Sequence, residues 1–145
     1  MTGRFFEEFE VGHRFVHEVR RTVTDMDNIL FSTLTHNPAP IHIDHEYAKT
    51  TEFGKPLMNS IFTLGLIVGL SIQDATLGTT VGNLGWEEVR FPKPVFAGDT
   101  LRAETRVVHI RESKSRPKQG IVTFEHKGYN QSVCRRVALM MRKPS

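Results

Sequence analysis

Cysteine is nearly missing from this 145-residue chain. Its single thiol, Cys134, has no partner for an intramolecular disulfide or for a thiolate zinc cluster. Long hydrophobic runs are missing too. The longest apolar stretch, IFTLGLIVGLSI over 61–72, is well short of the ~20 residues that span a bilayer. The opening MTGRFFEEFEVG carries no apolar segment behind a basic start, so no secretory signal is expected and a reducing cytoplasm is the expected location. No internal repeat or low-complexity linker divides the chain, and one domain over 1–145 is expected.

Charge is only mildly unbalanced, at +3 with a pI near 9.2. Much of the excess lies in RESKSRPK (111–118) and CRRVALMMRK (134–143), without any DNA- or RNA-binding signature beside it. Solvated strand faces and a loop explain these runs, and so would a phosphate-bearing small molecule, which needs two or three cations. Nucleic acid and membrane are not expected partners. A more local absence is chemically sharper: LTHNPAPIHID (34–44) holds no acid before Asp44, although His36, Asn37 and His42 crowd around its two prolines.

Hydrophobic periodicity sets the elements. HRFVHEVRRTV (13–23), with Phe15 and three valines, predicts a strand. TDMDNILFSTL (24–34) predicts a helix with Thr24 as N-cap and Asp27 closing a capping box. Proline ends that helix at HNPAP, and HEYAKTTEF (45–53) predicts a short second one. From Leu57 to Ile72 apolar residues occur on every side, which predicts a helix buried all round, with Gly65 and Gly69 set against a sheet. Four strands follow, over 80–91, 99–112, 119–130 and 132–143. In the second, Leu101, Ala103, Thr105, Val107 and His109 alternate with Arg102, Glu104, Arg106 and Val108, a half-buried pattern. The sum is an α+β layer, an antiparallel sheet wrapped around a long central helix.

That layout, with NPAPIHID, FGKPLMNSIFTLGL and VRFPKPVFAGDTL in order, resembles the hotdog fold of the MaoC-like dehydratase and (R)-specific enoyl-CoA hydratase family. The resemblance covers nearly the whole chain. In that family the hydratase loop runs Gly-Asp-x-Asn-Pro-x-His, and its Asp and His are the catalytic pair. Residue by residue, Asn37 stands where the Asp stands, Ala39 where the Asn stands, and Pro40 and His42 on their counterparts. Asn59 and Ser60 replace the family's His-Gly pair before the buried helix. The variant is most similar to the branch acting on branched five-carbon dicarboxylyl-CoA esters of the mesaconyl-CoA, itaconyl-CoA and methylmalyl-CoA type. The resemblance implies an acyl-CoA hydro-lyase with no cofactor beyond the coenzyme A of its substrate, assembled as a homodimer or a dimer of dimers.

Hydrating an α,β-unsaturated thioester needs a base for water, an acid for the α-carbon, and donors for the charge developing on the thioester oxygen. His42 is the acid–base candidate, because the ordinary pKa of imidazole lies near neutrality. Asn37, an amide, cannot be a base; it either positions water or substrate, or only shapes the turn. Asp44 either orients His42 or caps the helix after it, and capping suits its place better. Backbone N–H groups near Ser60 and Ile61, at a helix start, are the oxyanion candidates, with Asn59 either a further donor or a cap. Lys114, Arg116 and Lys118 are candidates for CoA phosphates. Arg90 is the candidate for a second substrate carboxylate, or else the partner of Glu87 or Glu88. His13, His17, His36 and His45 are expected on the surface or in loops, and no metal ligand set is expected. A thioesterase on the same fold, and an acyl-CoA-binding subunit that has lost activity with the carboxylate, stay open as alternatives.

Overall fold

The computed structural model describes residues 3–129 and 132–144. Its strands are β1 (Arg14–Thr22), β2 (Thr80–Arg90), β3 (Thr100–Glu112), β4 (Gln119–Tyr129) and β5 (Ser132–Met141). Asn130, expected in the fourth strand, lies outside the described residues. All pairs are antiparallel, and the sheet order is β1-β3-β4-β5-β2. The helices are α1 (Asp25–Leu34), α2 (Pro40–Ile43), α3 (His45–Lys49), α4 (Ser60–Leu70) and α5 (Ile72–Ala75). The α+β expectation holds, with α4 packed on one face of the sheet. The short α2, which opens with Pro40 at its first position, arises where proline was expected only to break a helix.

Two apolar clusters build the core. Ile67 and Leu70 of α4 pack with Val23, Met58, Val95, Leu101 and Ala103. Further along the strands, Phe9, Phe15, Val107, Phe124 and Met140 form the second cluster beneath the N-terminal segment. Burying such side chains contributes about 1.5–3 kcal/mol each. The alternation in β3 runs from Leu101 to Val107, interrupted only at Glu104, which is buried and paired with Arg14 and Arg102, and then fails. A register shift between Val107 and His109 turns His109 outward, so that Val108 is half-buried and His109 exposed.

Between the clusters runs a buried polar row that corrects the expectation for His17. This side chain faces inward from β1 and the residue is only 4% exposed. Its Nδ1 stands 2.7 Å from Asp74 Oδ1 and its Nε2 2.6 Å from Thr105 Oγ1, which in turn lies 2.7 Å from His126 Nδ1. With Asp74 ionised and both rings neutral, the protons order in one direction. His126 donates to Thr105, Thr105 to His17, and His17 to Asp74. Partners for both ring nitrogens are what allow His17 to be inside.

α4 also departs from expectation. Ile61 is 59% exposed, and Gly65 and Gly69 are exposed with open space where a Cβ would stand. The two glycines therefore do not meet the sheet. One apolar side of this helix lies open in the single chain.

Burial pushes the His126 imidazole well below its ordinary pKa, and the charge of the nearby Arg136 guanidinium adds to the effect. Below about pH 6.5 the unfolded chain takes up a proton at this position that the folded chain refuses, so stability falls with acidification. One such group contributes at most ~1.4 kcal/mol per pH unit. Urea unfolding between pH 7.5 and 5.5 is expected to show a smaller loss for His126→Asn than for the native chain. Equal losses would contradict the assignment.

Candidate active site

The expected capping box starts α1: the Thr24 side chain accepts from Asp27 N–H, and the Asp27 carboxylate accepts from Thr24 N–H at 2.9 Å. The helix points its polar side inward. Asn28 and Ser32, four apart, are buried, while Met26, Leu30 and Leu34 are more than half exposed. After Leu34 the chain reverses through His36, which adopts φ 53°, and reaches His42 on α2. Asp44 then caps α3 by accepting from Tyr47 N–H at 2.9 Å. It is thus the cap that its position suggested.

His42 is oriented by a backbone carbonyl. Its Nδ1 lies 2.7 Å from the carbonyl oxygen of Leu57. A carbonyl only accepts, so Nδ1 carries the proton, and in the neutral ring Nε2 is left with the lone pair. The ring is half-buried, and no described residue is hydrogen-bonded to Nε2. Asn28 locks the same carbonyl. Its Nδ2 donates to Leu57 O at 3.0 Å and to His42 O at 2.8 Å, while its Oδ1 accepts from Asn59 N–H at 2.8 Å. Sequence reasoning passed over Asn28. The signal was an amide on the face of α1 that also carries Ser32, inside a helix whose apolar residues point elsewhere.

The start of α4 is equally determined. Asn59 is buried, its Oδ1 accepts from Ile61 N–H at 3.0 Å, and its Nδ2 donates to Ser32 Oγ at 3.3 Å. Asn59 is therefore the cap, one of the two roles its position allowed. Ile61 is corrected with it, because the N–H nominated for an oxyanion is already taken by that cap. Ser60 N–H, one residue earlier, has no partner among the described residues. Asn37 uses its Oδ1 to accept from Ala39 N–H at 3.1 Å, which shapes the turn and leaves its amide Nδ2 without an acceptor among the described residues.

A cavity of about 220 Å³ opens beside this helix start, with Phe53, Met58, Ser60, Thr63, Phe91 and Lys93 in its wall. Leu57, whose carbonyl holds His42, also lines it. Arg90 stands at the end of β2 just before this wall, but its Nε donates to Glu88 Oε1 at 2.6 Å, the pairing weighed against a substrate role. Lys114, Arg116 and Lys118 lie in the turn between β3 and β4, and none has a hydrogen bond or ion pair to His42, Asn37 or Ser60 among the described residues. They do not join the His42 site of their own chain. Burial pushes the Cys134 thiol up to about 11, so it is protonated at neutral pH and is no nucleophile.

Asn28→Ala would remove three hydrogen bonds, leaving the His42 carbonyl and the Asn59 N–H unpaired while Leu57 O keeps only His42. A loss of about 3 kcal/mol is expected in urea unfolding. Asn28→Asp keeps the shape but faces a carboxylate toward two carbonyls, so it is expected to be at least as damaging. A neutral result for either would show that Asn28 is not the brace of this site.

The MaoC like domain family model matches residues 7–130. The mesaconyl-CoA hydratase of Cereibacter sphaeroides is 34% identical over 129 residues, covering 89% of this chain and 37% of that protein. The beta-methylmalyl-CoA dehydratase of Chloroflexus aurantiacus is 30% identical over 129 residues, covering 89% of this chain and 36% of its own length. This chain thus spans little more than a third of those curated relatives. Among solved structures, the MaoC-like dehydratase from Rhodospirillum rubrum superposes with a TM-score of 0.77 at 29% identity, over 99% of this chain and 100% of that one. With its antiparallel sheet, its helix against that sheet and a family match over most of its length, the chain belongs to the MaoC-like domain family.

Proposed function

We propose that the protein is an acyl-CoA hydro-lyase that reversibly adds water across an α,β-unsaturated, branched five-carbon dicarboxylyl thioester of the mesaconyl-CoA, itaconyl-CoA or methylmalyl-CoA type. The observation that carries this reading is the fixed tautomer of His42, whose Nε2 is free of any hydrogen bond among the described residues, together with a helix start, three residues beyond the Leu57 carbonyl that orients the ring, that still offers the N–H of Ser60. In the hydration direction Nε2 takes a proton from water as its oxygen bonds to the β-carbon. The π electrons move toward the thioester oxygen, where Ser60 N–H and the positive end of α4 hold the charge. The imidazolium then returns its proton to the α-carbon, and one water has been added. One titrating group serves both steps, so no carboxylate at position 37 is required. Asn37 contributes its Nδ2 as a donor that positions water or thioester. The relatives named for mesaconyl-CoA and beta-methylmalyl-CoA supply the substrate class.

A second hotdog unit completes the assembly in this proposal. The curated relatives are about two and a half times as long as this chain, and here α4 leaves Ile61, Gly65 and Gly69 uncovered. A homodimer supplies the missing half, and in it the Lys114–Lys118 turn of one copy serves CoA bound to the other. Sedimentation is expected to give about 33 kDa, twice the 16.5 kDa of one chain. Gly65→Arg, which places a charge on the open helix side, is expected to shift the protein toward monomer. A stable monomer at micromolar concentration for the native chain would reject the homodimer.

Incubation with mesaconyl-CoA, itaconyl-CoA and crotonyl-CoA, followed by loss of the enoyl absorbance, tests the chemistry. Turnover of a dicarboxylyl ester is expected, and His42→Ala is expected to lower it by about 10²–10⁴-fold. Free thiol release without enoyl loss would identify a thioesterase. Tight CoA-ester binding without either reaction would identify an inactive binding subunit.

A further inference from the structure

The cavity beside the start of α4 has an uneven chemistry. Phe53, Met58, Phe91 and Val95 make its wall largely apolar, and Lys93 is the one charged residue among those that line it. No acid lines it. Lys93 forms no ion pair with any described residue, in contrast to Arg90, Arg102, Arg106 and Arg135, each held by a glutamate. An ammonium that no carboxylate neutralises is free to attract an anion entering the cavity, where one already held by a glutamate is not. The opening Phe91-Pro92-Lys93-Pro94 also restrains it: the prolines fix backbone angles on either side, which lowers the entropy lost when the lysine engages a ligand.

We propose that Lys93 is the specificity residue of this cavity and receives the free carboxylate of the acyl chain. The inference rests on the acyl-CoA reading above and assigns a second anchor to it. The size of the space decides between the two anions that a CoA ester brings. About 220 Å³ is below the ~300–1,000 Å³ of pockets that enclose drug-sized ligands, so it suits a short acyl group and not a nucleotide. Ser60 lines the same cavity, which places a thioester oxygen at the helix start and the far end of a short acyl chain toward the lysine wall. Phe53, Met58 and Val95 remain to pack a methyl branch. An uncharged acyl chain would leave the ammonium without its partner. Lys93 therefore discriminates by charge, while Ser60 and His42 address the thioester and the double bond common to all enoyl esters.

Calorimetric binding of two saturated, unreactive esters tests this without any turnover. Methylsuccinyl-CoA keeps the distal carboxylate, and isovaleryl-CoA replaces it with a methyl group. The native protein is expected to bind the first at least about tenfold more tightly. Lys93→Met is expected to weaken methylsuccinyl-CoA by about tenfold while leaving isovaleryl-CoA within about twofold, and Lys93→Glu to reverse the preference. Lys93 is on the surface, so both variants are expected to keep the native circular dichroism spectrum. Equal weakening of both esters would place the lysine on CoA phosphate and overturn the inference. So would an unchanged ratio, or failure of the native protein to bind either ester. Failure of the hydratase reading is seen separately, as no enoyl consumption by a native protein that still shows the binding preference.

Discussion

The carboxamide of Asn28 is the point through which the separate parts of the site are tied. It is nearly inaccessible to water, and each of its hydrogen-bonding atoms is used: two carbonyls take its protons and one backbone N–H takes its oxygen. These three partners belong to the His42 turn, the segment at Leu57 and the start of α4. In a low-dielectric interior an unmade bond of this kind costs about 1–3 kcal/mol, so the arrangement is strongly preferred over slightly displaced ones. Leu57 O receives both Asn28 and His42 and so transmits the position of α1 to the imidazole. A neutral carbonyl thereby fixes the tautomer, a task that a carboxylate often performs beside a histidine.

The same economy explains why Asn59 and Ser32 sit where they do. α1 gives its inward side to amide and hydroxyl groups because that side must meet backbone, which only polar side chains can satisfy. Met26, Leu30 and Leu34 are displaced outward as a result, and Phe31 alone turns back to pack on Phe62 of α4. The row from Asp74 through His17 and Thr105 to His126 follows a related logic under the sheet, where ordered donors and acceptors separate two apolar clusters. Both networks exchange some hydrophobic burial for directional contacts, and directional contacts hold one geometry.

Elements were legible in the sequence where local rules act alone. The strand of alternating residues from Leu101, the Thr24–Asp27 capping box and the Asp44 cap were each readable, because each depends on neighbours within a few positions. The loop residues 37 and 42 were readable through family resemblance. Errors arose where a distant partner decides. His109 turned outward because the pairing with β4 slips by one residue. His17 went inside because Asp74 and Thr105 were there to receive it. Ile61 lost its candidate role because Asn59 reached its N–H first.

Read alone, the sequence determined the class of the domain, most of its helices and strands, and the absence of a carboxylate at position 37. Those follow from periodicity, from caps and from the chemistry that each side chain carries wherever it lies. Only the tertiary structure decided which nitrogen of His42 is free, that Asn28 braces it, that Asn59 is a cap, and that Lys93 rather than Arg90 faces the cavity unpaired. The physical reason is that hydrogen bonds and ion pairs are settled by which groups meet in space. Residues 28, 42, 57 and 59 meet across stretches of chain whose local preferences say nothing about one another.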